Sequence, residues 1–307
     1  MYDGAPVLRR RALLGLTAAL ALPGCGARGD IESVRLGSGR AGGLFHEFAH
    51  LLADAAARDS TVRIEPIVTD GSLANLDLLA RGEIDAALSL ADTVAATGTR
   101  ARAIGRLYET YIQLAVTADS PIRRVGELRG ARIDLGVRGS GGSSTAERML
   151  RAAGLDPARD VVSGNHELSD AVALLHTGAV DAIVWGGGIP TPGPDIPARA
   201  RLIDLGEMVP ALRQRFGYDY DRVAIPADAY PGSPGLATIG VPNLLLAGPG
   251  LPDATVASIT RLLVHSADGL MPVQALGFHF LNRRWLVGTG SVPLHPAAAA
   301  QYRDEHG

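Results

Sequence analysis

The same pattern of hydrophobic and polar residues occurs twice along this chain, at residues 78–88 and 174–184. Each copy has apolar residues at helical spacing, then a glycine (Gly82 or Gly178), then a short apolar run that contains one aspartate. This order predicts the last turn of a helix, a glycine cap and a buried strand. The sequence therefore predicts two similar halves.

A Ser/Gly-rich loop lies upstream of each copy, between a predicted strand and a predicted helix. The first Ser/Gly loop, residues 38–43, follows the strand 34–36, and the second, residues 139–144, follows the strand 131–137. The first amides of a helix lack partners within the helix, and the helix dipole makes that end electropositive. Such loops bind anions. We therefore predict a cleft between the halves that closes on a small anionic ligand.

Strands and helices alternate along the rest of the chain. The apolar spacing predicts further strands at 62–68, 84–89, 112–117, 180–185 and 236–241. It predicts helices at 44–57, at the stretch carrying Leu73, Leu76 and Leu79, at 143–153, from 253 to about 270, and around 295–302. Ser72 and Asp92 are predicted helix caps, and Pro66 indicates an edge strand. This alternation predicts the α/β class with a mostly parallel sheet in each half.

Two of these strands mark the points where the chain crosses between the halves. The strand 112–117 leads into the second half, and the strand 236–241 returns from it. We therefore predict two α/β lobes. Lobe 1 comprises residues 31–116 and 237–307, and lobe 2, residues 117–236, is inserted into it.

The N-terminus has the features of an export signal. Residues 9–11 are three arginines, residues 12–22 are an apolar run, and Cys25 follows. This order predicts a signal peptide over residues 1–24, loosely similar to twin-arginine signals, followed by a linker over residues 25–30. The position of Cys25 resembles a lipobox, which predicts a lipidated, membrane-anchored protein; a plain signal peptide with an incidental cysteine is the alternative. Both place the mature protein outside the cytoplasmic membrane.

Composition narrows the class of protein. The apolar fraction of 47% and the charged fraction of 20% are typical of a globular chain with a packed core. The net charge of -3 gives no basic surface for nucleic acid. No segment after the leader has about 18 consecutive apolar residues, so we predict no transmembrane helix.

Motifs for metal, nucleotide or nucleophile chemistry are absent from the sequence. It has no HxH or HExxH spacing, no cysteine pair, no P-loop and no GxSxG. His46 and His50 are four residues apart and could hold a metal, but with no third ligand evident we interpret them as helix-surface histidines. We predict no cofactor, no metal and no catalysis. The alternative from another class is a secreted hydrolase that uses Ser140 or Ser143 with a cleft histidine.

Many short stretches of the mature chain resemble the TAXI proteins, solute receptors of a class of tripartite ATP-independent periplasmic (TRAP) transporters. They occur in the family's order at residues 37–45, 82–85, 120–121, 127–131, 139–141, 178–181, 188–190, 251–253 and 295–297. The resemblance implies a type II periplasmic-binding-protein fold with a ligand cleft and hinge. It also implies capture of a small organic anion, such as glutamate or a related carboxylate, for a TRAP-type permease. An ABC-type binding protein and a receptor for a sensor protein are the alternatives.

The candidate ligand-binding residues are those of the two loops and of segments that the resemblance places in the cleft. They are Ser38, Arg40, Gly42, Gly43, Leu44, Phe45, Ser72, Asn75, Asp92, Arg138, Ser140, Gly141, Gly142, Ser143, Ser144, Trp185, Gly187, Gly188 and Pro190. Backbone amides and hydroxyls would bind a carboxylate, and an arginine would grip it through two parallel bonds.

Several of these side chains have more than one possible role. We expect one of Ser143 and Ser144 to cap its helix and the other to face the ligand. Trp185 either stacks on an apolar part of the ligand or packs in the core. Phe45, Leu90 and Ala91 replace residues that are more often polar in relatives, which favours a carboxylate with an apolar body.

Overall fold

The first copy of the repeated pattern belongs to a β-α-β-α-β unit, here called the first repeat unit. Its elements are β1 (Ser33–Gly37), α1 (Leu44–Asp59), β2 (Arg63–Ile67), α2 (Ser72–Ala80) and β3 (Ala86–Leu90). The three strands are parallel, with β1 in the middle and β2 at the edge of the sheet, so the edge position predicted from Pro66 is confirmed. The chain continues through α3 (Ala91–Thr97) and the long strand β4 (Arg102–Thr117).

The second copy belongs to a second repeat unit with the same order of elements. They are β5 (Arg132–Asp134), α4 (Gly141–Ala152), β6 (Val162–Gly164), α5 (Leu168–His176) and β7 (Ala182–Gly187). Here too the strands are parallel, and β5 lies between β6 and β7. The two repeat units therefore share one topology, as the repeated pattern predicts.

The rest of the described chain joins the two repeat units. Its elements are β8 (Ala200–Leu202), α6 (Met208–Phe216), β9 (Asp221–Ile225), β10 (Leu236–Ala247), α7 (Asp253–His265), α8 (Arg283–Leu286) and α9 (Pro296–His306). Antiparallel β4 and β10 lie between the units in the strand order β2-β1-β3-β10-β4-β7-β5-β6. The predicted strands 112–117 and 236–241 are the parts of β4 and β10 nearest the second repeat unit.

An arginine–aspartate pair stabilises each repeat unit at the same position. Asp85 accepts hydrogen bonds from the backbone N and Nε of Arg35, at 2.8 and 2.9 Å. Asp181 accepts the same two bonds from Arg132, at 2.8 and 3.1 Å. The aspartates of the repeated pattern thus tie the start of β3 to β1 and the start of β7 to β5, and the guanidinium in each pair lowers the pKa of the carboxyl.

The structure is a computed structural model that describes residues 33–59, 62–192, 196, 200–272 and 281–306. The predicted signal peptide, the linker and Cys25 lie outside the described residues. Within the described part, no helix is long and apolar enough to cross a membrane.

Three helix caps differ from those that the sequence predicts. Gly71, not Ser72, is the N-cap of α2, because the Ser72 hydroxyl instead accepts the amide of Leu90 at 3.0 Å. Leu90 precedes α3, and Asp92 is already inside that helix. The cap of α4 is neither Ser143 nor Ser144: the Ser140 side chain accepts the backbone N–H of Ser143 at 3.0 Å.

A buried charge cluster lies where β4 and β10 change register. The Arg106 guanidinium is 2.7 Å from the Glu109 carboxylate and 3.0 Å from that of Asp221, and it stacks on the ring of Trp285. The pairing of β10 with β4 shifts register between Pro242, which is opposite Glu109, and Leu244, which is opposite Arg106. One cation thus faces two carboxylates. Burial raises the pKa of Glu109 to about 8, and the neighbouring Asp221 adds to the rise.

Glu109→Gln is expected to change how stability depends on pH. The folded state holds the Glu109 proton up to about pH 8, whereas the unfolded chain releases it near 4.5. The stability that this group contributes is therefore complete below pH 4.5 and is lost as the pH rises to about 8. Urea unfolding at pH 5 and pH 8 should show that wild type loses more stability over this interval than Glu109→Gln. Equal losses in the two proteins would contradict the assignment.

Candidate functional site

A cavity of about 500 Å³ lies between the two repeat units. The first Ser/Gly loop and the start of α1 form one side, and the second Ser/Gly loop and the start of α4 form the other. The ends of β3, β5 and β7 supply the floor, through residues such as Leu90, Leu135 and Trp185. Binding sites in open α/β sheets lie at the carboxyl ends of parallel strands, which is where this cavity is.

Helix N-termini from both repeat units open onto the cavity. Leu44 begins α1 and Ser72 begins α2 in the first unit, and Gly141 begins α4 and Leu168 begins α5 in the second; all four residues line the wall. Each N-terminus carries a partial positive charge and amides that lack acceptors within the helix. The dipoles of the four helices therefore favour an anion in this cavity.

The two halves of the cavity wall are in direct contact at the loops. The Leu73 amide at the start of α2 donates to the Gly139 carbonyl of the second Ser/Gly loop at 3.2 Å. A Cβ atom on Gly71 would come within 3.1 Å of the Ser140 Cα. A Cβ atom on Gly141 would come within 2.5 Å of the Ser72 hydroxyl. Glycine at these positions allows the loops to approach this closely.

The charged side chains in the wall are paired with one another. Arg40 pairs with Asp70 at 3.0 Å and also with Glu167, which lies on the opposite side of the cavity. The His166 imidazole pairs with the buried Asp134 carboxylate. Arg40 therefore connects the two sides of the cavity, and its guanidinium is already paired before any ligand carboxylate binds.

An apolar surface completes the wall, and Trp185 is its largest part. The Trp185 Nε1 donates to Thr191 Oγ1 at 2.9 Å, and that hydroxyl donates to the Gly188 carbonyl at 2.7 Å. Gln113 donates to the same hydroxyl at 3.0 Å. This network satisfies the polar atom of the indole, and Trp185 both lines the cavity and packs in the core at 5% exposure. Further apolar wall residues are Leu44, Phe45, Leu90, Leu135, Val137, Leu168, Val184 and Pro192.

The structure brings the larger part of the predicted site residues together in this wall. Those in it are Arg40, Gly42, Gly43, Leu44, Phe45, Ser72, Ser140, Gly141, Gly142, Ser143, Trp185 and Gly187. Those outside it are Ser38, Asn75, Asp92, Arg138, Ser144, Gly188 and Pro190.

Hydrogen bonds within the protein hold several of the residues outside the wall. The Asn75 amide donates to the Gly37 and Leu88 carbonyls at 3.0 and 2.7 Å, so it ties α2 to β1 and β3. The Ser38 hydroxyl donates to the Ile67 carbonyl at 2.9 Å. The Ser144 hydroxyl donates to the Ser140 carbonyl at 3.2 Å, one turn back along α4. The structure thus gives these side chains positions in the framework around the cavity.

Asp92 forms a buried ion pair behind the cavity. Its carboxylate accepts Arg148 Nη1 at 2.9 Å, Thr145 Oγ1 at 2.8 Å and the Tyr220 hydroxyl at 3.1 Å. The Asp92 side chain is 1% exposed and that of Arg148 10%. Arg148 and Thr145 belong to α4, so this pair connects α3 to the second repeat unit.

The start of α5 lines the cavity but was not predicted from the sequence as part of the site. Glu167, Leu168 and Ser169 line the cavity, but no serine–glycine cluster marks this helix start. The two copies of the pattern are 96 residues apart, and the same offset carries Gly71 and Ser72 onto Glu167 and Leu168. Extending the repeat upstream would therefore have found these residues.

The structure pairs neither serine of the hydrolase alternative with a base among the described residues. The Ser140 hydroxyl caps α4, and the Ser143 hydroxyl is 3.4 Å from the Asn165 amide. Among the described residues, no hydrogen bond joins either serine to a histidine. Within the same residues, no three His, Cys, Asp or Glu side chains are grouped as metal ligands would be.

Solved structures show what this fold is similar to. XAC2383 from Xanthomonas citri, bound to chloride ion, has a TM-score of 0.51 at 15% identity, covering 89% of this chain and 95% of that chain. PhnD1 from Prochlorococcus marinus (MIT 9301), in complex with methylphosphonate, has a TM-score of 0.49 at 12% identity, with coverages of 76% and 84%. The periplasmic aliphatic sulphonate binding protein SsuA from Escherichia coli has a TM-score of 0.44 at 18% identity, with coverages of 78% and 68%.

These likenesses concern the fold. The mixed α/β architecture that the sequence predicts is confirmed, and XAC2383 shares it. The model of the NMT1-like family matches residues 36–307, which include all but the first three residues of the two repeat units and the strands that join them. The chain therefore belongs to the NMT1-like family.

Proposed function

We propose that this protein is an extracytoplasmic solute receptor that captures a small organic anion with an apolar body. The observation that carries the proposal is the convergence of the N-termini of α1, α2, α4 and α5 on one cavity. The helix dipoles at such ends favour a negative charge. The volume of about 500 Å³ suits a small molecule.

The chemistry of the wall favours a carboxylate held by backbone amides. Arg40 is the wall's arginine, and its guanidinium already faces Asp70 and Glu167. An ammonium group on the ligand, such as that of glutamate, would have to compete with Arg40 for those carboxylates. Trp185, Phe45 and Leu90 instead offer an apolar surface to the body of the ligand. Mixed apolar carboxylates thus suit the cavity better than glutamate.

Capture would proceed by closure of two lobes, residues 31–116 with 237–307 and residues 117–236. The long strands β4 and β10 cross between these lobes and would serve as the hinge. The hydrogen bond from Leu73 to Gly139 and the ion pair between Arg40 and Glu167 both join the lobes, as contacts of a closed form would.

The captured solute would pass to a membrane transporter. The resemblance to TAXI proteins favours a TRAP-type permease as that partner, and the alternative is an ABC-type importer. The predicted leader supports export, and a lipid on Cys25 would anchor the receptor at the membrane. The role requires neither a cofactor nor catalysis.

A thermal-shift screen tests the anion assignment. A ligand that binds only the folded protein raises its stability by about 2.7 kcal/mol at a hundred times the dissociation constant. We expect clear stabilisation by apolar carboxylates and keto acids, with the uncharged amide of each hit as a matched control that gives none. Hits confined to sugars, cations or the amides would overturn the proposal. Hydrolysis of ester or amide substrates would favour the hydrolase alternative.

A further inference from the structure

Two histidines face each other on α1, away from the cavity. His46 and His50 are one helical turn apart, and their Nε2 atoms are separated by 3.2 Å. Their ring centroids are 4.4 Å apart with an interplanar angle of 74°. His46 is half-buried and His50 is exposed, so the pair is open to solvent on one side. Neither side chain lines the cavity.

Ser38 fixes the tautomer of His46. The Ser38 hydroxyl has a single proton, which it donates to the Ile67 carbonyl at 2.9 Å. Its contact with His46 Nδ1 at 3.2 Å must therefore be one in which the imidazole N–H donates. A neutral imidazole has one N–H, so His46 Nε2 carries a lone pair. That lone pair accepts the Nε2–H of His50 at 3.2 Å.

This arrangement has the dimensions of a metal chelate. Two Zn–N bonds of 2.0–2.1 Å at the tetrahedral angle place the nitrogens roughly 3.4 Å apart. The observed separation of 3.2 Å lies close to that value. A metal ion would replace this hydrogen bond once His50 takes the tautomer with its proton on Nδ1, which leaves an Nε2 lone pair on each ring. The bond from His46 Nδ1 to Ser38 resembles the outer-shell bonds that orient histidine ligands in metal sites.

We propose that His46 and His50 form a site for a divalent transition metal ion such as zinc or nickel, with water completing the coordination. Imidazole nitrogens select such ions over magnesium and calcium, which take oxygen ligands. The site is separate from the solute cavity, so it stands whether or not the proposed function is correct.

Calorimetric titration of the untagged protein with nickel chloride tests this proposal. We expect one nickel ion per chain and no heat from magnesium chloride. His46→Ala and His50→Ala should each weaken nickel binding at least tenfold, because each leaves a single imidazole. The matched control is His265→Ala, which removes an exposed histidine from α7 and should leave binding unchanged.

If His46→Ala does not fold, a variant of the exposed His50 tests the metal site instead. His50→Gln keeps a polar side chain at a solvent-facing position, and thermal unfolding should show that this variant is as stable as wild type. Loss of nickel binding in folded His50→Gln supports the site. Unchanged binding in His50→Gln, or no binding to the wild-type protein, would overturn it.

Discussion

Asp92→Ala is expected to lower the free energy of unfolding by about 3–5 kcal/mol, because it leaves Arg148 buried without its counter-ion. The carboxylate also accepts the Tyr220 hydroxyl, which would lose its acceptor, whereas Thr145 would keep the Gly141 carbonyl at 3.0 Å. A buried donor left unsatisfied adds its own desolvation cost. Urea unfolding followed by circular dichroism would measure the change.

An exposed ion pair on the same helix provides the control. Glu147 and Arg151 are 3.0 Å apart on α4, and both side chains are more than 40% exposed. Pairs of this kind contribute about 0–1 kcal/mol, so Glu147→Ala should be nearly neutral. A double variant, Asp92→Leu with Arg148→Met, should recover part of the lost stability, since an apolar pair can replace a buried ion pair.

The same experiment distinguishes the two roles considered for Asp92. Asp92 is among the ligand-binding residues predicted from the sequence. In the structure its carboxylate instead pairs with Arg148 of α4, behind the cavity. A ligand-binding Asp92 would affect affinity and leave the unfolding midpoint almost unchanged. That result in Asp92→Asn would contradict the framework role.

The repeat could be predicted because its signals are local. A helix that ends at a glycine and continues into a buried strand needs only neighbouring residues, and Gly82 and Gly178 both take the left-handed conformation, with φ of 71° and 69°. The loops before α1 and α4 are equally local, so most of their residues were predicted to be near the ligand.

Partners that are distant in sequence could not be predicted in this way. Asp92 meets Arg148 56 residues further on, and Arg40 meets Glu167 across the cavity. Nothing in the local spacing indicates which charges will pair. The long strands β4 and β10 were only partly predicted, because they are buried along most of their length and a continuous apolar run has no period from which to locate its ends.

The fold also explains why serine-rich stretches are ambiguous in sequence. Ser140, Ser143 and Ser144 lie within five residues, yet Ser140 caps α4, Ser143 lines the cavity and Ser144 bonds back along the helix. The role of each of these three hydroxyls depends on the residue at which α4 begins. The structure begins α4 at Gly141, two residues before the predicted start.

Gly141→Ala is expected to weaken solute binding roughly 5- to 150-fold while leaving the protein folded. The added Cβ would lie 2.5 Å from the Ser72 hydroxyl and 2.6 Å from the Leu90 side chain, both across the contact between the two repeat units. Overpacking of this kind costs about 1–3 kcal/mol, which corresponds to that loss of affinity. Ser72 cannot yield easily, because its hydroxyl accepts the Leu90 amide.

The clash lies on the contact between the repeat units, so the variant tests closure as well as affinity. Thr145 and Arg148 keep α4 bound to Asp92 without ligand, so thermal unfolding without ligand should show a small loss of stability. X-ray scattering should show that a ligand from the screen compacts wild type and compacts Gly141→Ala less. Gly126→Ala is the control, because a Cβ there meets no other atom within 4 Å. Wild-type affinity and full compaction in Gly141→Ala would mean that the contact between Gly141 and Ser72 does not form when the ligand is captured.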